Sequence, residues 1–240
     1  MAMLKGFAKI LLSAALAAQL QGALWAQTNA AQVRAHISAP ASASEPQNLG
    51  LLKTKLKAYH DCCYAAALEK QDRVAMAFLE RGVAHARQGE KLALVLDIDE
   101  TSLSNYKEEA ADDFGFIEHD WDAWVDEANA PAIPGTLRLA QRAQQLGVAV
   151  FFITGRDYTQ RTATEENLRV AGYSRWAGLT LRSKDELHEA TIAYKSAARA
   201  KIVKAGYKII LNVGDQWSDL KGSPQAEYSV KLPNPFYYIP

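Results

Sequence analysis

Residues 92–105, LALVLDIDETSLSN, run five apolar residues straight into two acids spaced by one residue, and then into hydroxyl side chains. An unbroken β-rich run of this length suits a strand buried on both faces, as in a parallel sheet. Three later runs have the same character: VAVFFI (148–153), GLTL (178–181) and KIILNV (208–213). Helix-like stretches separate them. Residues 134–146 start at Pro134, carry Leu139, Ala143 and Leu146 at helical spacing and stop at Gly147, and residues 191–205 stop at Gly206. Proline just inside a helix start and glycine just past its end are the usual helix punctuation. The pattern predicts an α/β fold with a doubly wound, Rossmann-like parallel sheet.

The chain has 240 residues, 49% hydrophobic and 22% charged, enough for one sizeable core. Its 27 Lys and Arg balance 27 Asp and Glu, so no basic field exists to hold a nucleic-acid polymer. The first 26 residues, MAMLKGFAKILLSAALAAQLQGALWA, set Lys5 and Lys9 ahead of an apolar run without an acid, the pattern of a secretory signal peptide. Cleavage is expected after Ala26, with Ala30 and Ala31 as alternatives. Gln19 and Gln21 break the run, which argues against a stable spanning helix; an uncleaved N-terminal anchor is the alternative, and the expected location is periplasmic or secreted. Residues 27–47 read as a flexible leader and 48–240 as the domain, with a helical extension (48–90), a core (91–240) and a cap-like insert (about 105–133). The extension reads as one short and one long helix, and its His60 and His85 as surface or core groups rather than ligands. Adjacent Cys62 and Cys63 cannot form a disulfide framework, and a bond between neighbours would be strained. They are expected to be two partly buried thiols.

In such sheets ligands bind at the carboxyl ends of the strands, where the order switches. Asp97, Thr154, Arg182 and Asp215 each follow an apolar run and would converge there. A carboxylate so placed can attack phosphorus once a cation masks its charge, which suits Asp97. Asp99 could protonate a leaving oxygen and then take a proton from water. Asp215 would help to hold a hard Mg²⁺ ion, with Asp219 behind it. Thr154, the amides beside Gly155 and a lysine could meet the phosphoryl oxygens; Lys195 is preferred and Lys184 is its rival.

LVLDIDETSLSN, FFITGR, AYKS and NVGDQWSDL, in that order, resemble the four motifs of the haloacid dehalogenase (HAD) superfamily. With WDAWVDEANAPAIPG and KLPNPFYYIP, the chain from about Leu51 to Pro240 is similar to the subfamily IIIB acid phosphatases, which include bacterial class C enzymes and plant vegetative storage proteins. The resemblance implies that Asp97 is phosphorylated, that Asp99 is the general acid/base and also binds Mg²⁺ through its main-chain carbonyl, and that Thr154 and Lys195 bind phosphate. It further implies Asp215 as a metal ligand and Asp219 as its outer partner. The cysteine that anchors some class C relatives to lipid is missing.

The expected function is therefore a secreted Mg²⁺-dependent acid phosphatase acting on a small phosphorylated substrate. A non-catalytic storage or phospholigand-binding protein and a phosphotransferase to an alcohol are the alternatives. A superficial likeness to a calcium-binding EF-hand loop ending at Glu108 fails, because Ser102 stands where that loop needs glycine and a strand precedes it. Arg156 and Arg182 could touch substrate or form surface ion pairs. In the insert, Tyr106, Phe114, Phe116, Trp121 and Trp124 could stack on an aromatic alcohol or nucleobase, although the spacing of Trp121 and Trp124 favours a buried helix face.

Overall fold

The computed structural model describes residues 46–240. The signal segment and nearly all of the leader lie outside the described residues. Five strands form one sheet: β1 (Lys91–Leu96), β2 (Ala149–Asp157), β3 (Gly178–Arg182), β4 (Tyr207–Gly214) and β5 (Tyr228–Lys231). The order is β3-β2-β1-β4-β5 and every pairing is parallel. The four apolar runs supply the first four strands. β5, YSVK, was not expected: it is a short edge strand whose buried and exposed residues mix, so it lacks a continuous apolar run.

Alternate residues of β1 face opposite layers. Leu92, Leu94 and Leu96 join a core shared with Leu79, Leu139 and Leu168, which come from α2 (Ala65–Ala84), α5 (Pro134–Gln145) and α6 (Arg161–Val170). Ala93 and Val95 join Tyr194, Ala198 and Ile202 of α7 (Thr191–Lys204) on the other side. Both faces of the central strand are thus covered, which is why its sequence does not alternate. The order reverses between β1 and β4, and the loops leaving these two strands open the crevice that holds the site.

The extension is α1 (Leu49–Tyr59), one π-turn (His60–Tyr64) and α2. The two cysteines depart from expectation: Cys62 and Cys63 are exposed and bonded to each other. The wider π-turn carries the pair outward, while Tyr64 of the same turn points into the core. His60 stacks on Tyr106 at 3.3 Å between ring centroids, and His85 is exposed. The insert forms α3 (Tyr106–Ala111) and α4 (Glu118–Asp126). Trp124 is buried as expected and donates to Asn105 Oδ1 at 2.9 Å, whereas Trp121 is half-buried on a cavity wall. Three residues of separation leave the two rings about 60° apart around the helix, enough to put one inside and one at the rim.

Candidate active site

The loop after β1 is fixed by its own backbone. Asp97 N–H donates to Val213 O of β4 at 3.0 Å, and Ser102 Oγ donates to Asp97 O at 2.6 Å. Glu100 takes a positive φ of 50°, a costly conformation for a residue with a side chain, so its surroundings must hold it there. Its buried carboxylate accepts from Tyr64 Oη at 2.9 Å and from Asn105 N–H. Asp97 and Asp99 leave this turn in different directions.

Asp97 is buried and accepts from Lys195 Nζ. The same ammonium donates to Ile153 O at 2.6 Å and lies 2.9 Å from Asp219 Oδ1. Lys195 comes from the first turns of α7, one residue past Tyr194, whose hydroxyl donates to Thr154 O at 2.9 Å. Lys184 lies in a short, exposed 3-10 turn, whereas Lys195 stands at Asp97. Asp215 follows β4 and accepts from Thr101 Oγ1 (3.0 Å), Gln216 Nε2 (2.7 Å) and Asn234 Nδ2 (2.7 Å). Asp219, in α8 (Trp217–Leu220), approaches the sheet so closely that a Cβ on Gly214 would lie 2.4 Å from its own Cβ. Only glycine permits that approach.

Carboxylate oxygens of Asp97, Asp215 and Asp219 lie within 4.8 Å of one another. Burial, then the charge of Asp219, pushes the Asp97 carboxyl well above its ordinary range, against the pull of Lys195. Burial and Asp219 likewise push Asp215 up to about 6. Three carboxylates face one ammonium, leaving an excess of negative charge on hard oxygen donors. That donor set fits a hard divalent cation such as Mg²⁺. Asp219, expected behind the ion, reaches the cluster itself.

Asp99 turns toward Arg156. Arg156 Nη2 and Nε donate to Asp99 Oδ1 at 2.7 and 3.0 Å, Asn105 Nδ2 donates at 3.0 Å, and Thr154 Oγ1 approaches Oδ2 at 3.3 Å. Burial alone would raise the Asp99 carboxyl, but the charge and hydrogen bonds of Arg156 outweigh it and hold it below the ordinary range. Neither arginine forms a surface ion pair. Arg156 is 3% exposed and makes a buried pair that orients an acid, rather than a surface pair. Arg182 lines the cavity but donates to Glu186 O and Glu189 O at 2.9 Å and to Thr191 Oγ1 at 3.0 Å, so its guanidinium closes a loop. Asp97, Asp99, Gly155, Lys195, Asp215 and Asp219 line one cavity of about 490 Å³, with Arg156 beside them. Thr154 stands just behind it, fully buried.

Glu100, Asn105, Gln216 and Asn234 were missed as site residues. Asn234 was in view in KLPNP, but nothing in its spacing says that a distant loop returns to Asp215. Arg199 was also missed: it is buried, and donates to Asp219 O at 2.6 Å and to Pro224 O at 2.8 Å, so it fixes the loop that carries Asp219.

The sequence profile of the HAD superfamily, subfamily IIIB (acid phosphatase), matches residues 22–240. The chain belongs to this family. It is 43% identical to acid phosphatase 1 of Solanum lycopersicum over 148 residues, 60% of this chain and 58% of the relative. It is 41% identical to the stem 28 kDa glycoprotein of Glycine max over 154 residues (62% and 61%), and 34% identical to vegetative storage protein 2 of Arabidopsis thaliana over 151 residues (61% and 56%). The matches thus span about three-fifths of the length of these relatives. The fold matches the solved class C acid phosphatase of Bacillus anthracis with a TM-score of 0.66 at 23% identity, over 79% of this chain and 86% of that one. A second structure of that protein, with tungstate bound, matches equally well at 22% identity.

Proposed function

We propose that this subfamily IIIB protein is an exported phosphomonoesterase that works through an aspartyl-phosphate on Asp97. The observation that carries the proposal is the buried Asp97 carboxylate, held by Lys195 at the switch point beside Asp215 and Asp219. One Asp97 oxygen attacks phosphorus, the ester P–O bond breaks, and its electron pair leaves on the alcohol oxygen, which takes a proton from the Asp99 carboxyl. Water then attacks the phosphorus and gives its proton to Asp99. The bond from Asp97 to phosphorus breaks, freeing phosphate and restoring the carboxylate. Lys195 and the amides beside Gly155 meet the charge spread over the phosphoryl oxygens. Asp97, Asp215 and Asp219 would hold Mg²⁺, whose charge, when bound, offsets the repulsion between carboxylate and phosphate.

The Arg156 fork favours the charged form of Asp99, so the arrangement serves the water-activating half directly. In the first half the fork must loosen as the carboxyl carries its proton. Asp97→Asn is expected to lower phosphate release from small esters by at least about a thousandfold. Full activity in that variant would end the proposal.

The storage-protein relatives favour a second reading, a protein that binds phosphate without turnover. Purified protein that binds phosphate but releases none from any ester, with or without added Mg²⁺, would establish it. Transfer of the phosphoryl group to an added alcohol would appear as a new ester in product analysis. Export rests on residues 1–26, and N-terminal sequencing of protein from the periplasm or medium is expected to begin at Gln27.

A further inference from the structure

The cavity extends past the reacting groups to a wall supplied by the insert: Phe114, Phe116 and Trp121, with Glu108 and Glu109 of α3 and Tyr238 from the C-terminal segment. The mechanism uses none of these. Glu108 and Glu109 are each more than nine-tenths buried, and neither forms a salt bridge among the described residues. Among the described residues no group donates to the Glu109 carboxylate, and the side chain beside Glu108 is another acid, Asp112. The cations nearby are committed elsewhere. Arg156 sits 5.6 Å from the Trp121 ring but spends its guanidinium on Asp99, Lys107 lies over Trp124, Lys53 binds Asp113, and Lys57, 6.0 Å from the Phe114 ring, also faces Asp113. Burial, reinforced by their mutual charge, pushes Glu109 up to about 8.

Two buried acids that repel each other hold protons until a positive charge draws those protons off. A compact cation satisfies the carboxylates by charge and the ring faces by cation–π attraction. Resting on the phosphatase reading, we propose that Glu108 and Glu109, with the aromatic wall, select phosphate monoesters whose alcohol carries an ammonium group. The phosphoryl group would lie at Asp97 and Lys195 and the ammonium between the rings and the two glutamates.

The test compares phosphocholine with 3,3-dimethylbutyl phosphate, which has the same shape with carbon in place of the charged nitrogen. Wild-type kcat/KM is expected to favour phosphocholine by about tenfold or more. Glu109→Gln should pull that ratio at least about fivefold toward one, and Glu108→Gln should act in the same direction. A merely structural role for either residue would slow both esters equally and leave the ratio unmoved. A wild-type ratio at or below one, or a ratio indifferent to both substitutions, overturns the proposal. If neither ester is hydrolysed, the phosphatase reading fails, and calorimetric titration with choline against 3,3-dimethylbutanol decides the subsite without turnover. Binding of choline alone, weakened by Glu109→Gln, supports it, and equal or absent binding of the two refutes it.

Discussion

Lys195 performs three tasks with one ammonium: it neutralises Asp97, reaches Asp219 and ties α7 to the end of β2 through Ile153 O. A buried ion pair gains little stability over an apolar pair, but losing one partner leaves a stranded charge. Arg156 acts on Asp99 by geometry as well as charge, because its planar fork fixes the carboxylate in one orientation. A lysine offers a point charge and no fork. Arg156→Lys is therefore expected to keep the fold and lower kcat about ten- to a hundredfold with a smaller change in KM, read from steady-state phosphate release. The sequence named Asp97, Asp99, Lys195 and Asp215 because strand ends and motif order mark them. It did not reveal that Arg156 serves Asp99, since an arginine after a Thr-Gly turn carries no signal for which acid it will meet 57 residues away.

At the scale of elements, the apolar runs of the inner strands β1, β2 and β4 were legible because strands covered on both faces leave little room for polar alternation, and the edge strand β3 kept a readable run, GLTL. β5 was not, because its four residues, YSVK, alternate apolar with polar and bury only Val230. Burial inside the helical layer was hidden too. Asp72 on α2 is buried at the start of α5, so close that a Cβ on Gly135 would overlap its carboxylate, and its Oδ1 has no partner among the described residues. Burial pushes this carboxyl from 3.8 to about 6, with Arg138 pulling the other way. The folded state thus holds the proton more tightly than the unfolded chain. The stabilisation is complete below the unfolded value and is lost as pH rises through about 6. Asp72→Asn should raise the melting temperature clearly at pH 7.5, by an amount reflecting about 1–3 kcal/mol, and hardly at all at pH 4. Thermal melts of both proteins across this range check it, and an unchanged difference between the two pH values would refute it.

For the whole molecule, the site draws on the loops after β1 and β4, on the last residues of β2, on α7 and on the segment around Asn234. Such long-range convergence is why motif order was readable while the supporting hydrogen bonds were not. Among the described residues no helix is long and apolar enough to cross a membrane. A cation bound only by the folded arrangement of Asp97, Asp215 and Asp219 must stabilise the entire domain. Mg²⁺ at a hundredfold excess over its Kd is expected to add about 2.7 kcal/mol, several degrees in Tm. Chelator should reverse the shift, and Asp215→Asn should remove most of it. A melting curve indifferent to Mg²⁺ would argue against an ion in this cluster. Tyr64, at the base of the two leading helices, holds Glu100 in its unusual backbone conformation next to the nucleophile. Tyr64→Phe should therefore leave every reacting group and the core in place yet give an enzyme that works sluggishly, because the turn presenting Asp97 has lost its outside brace.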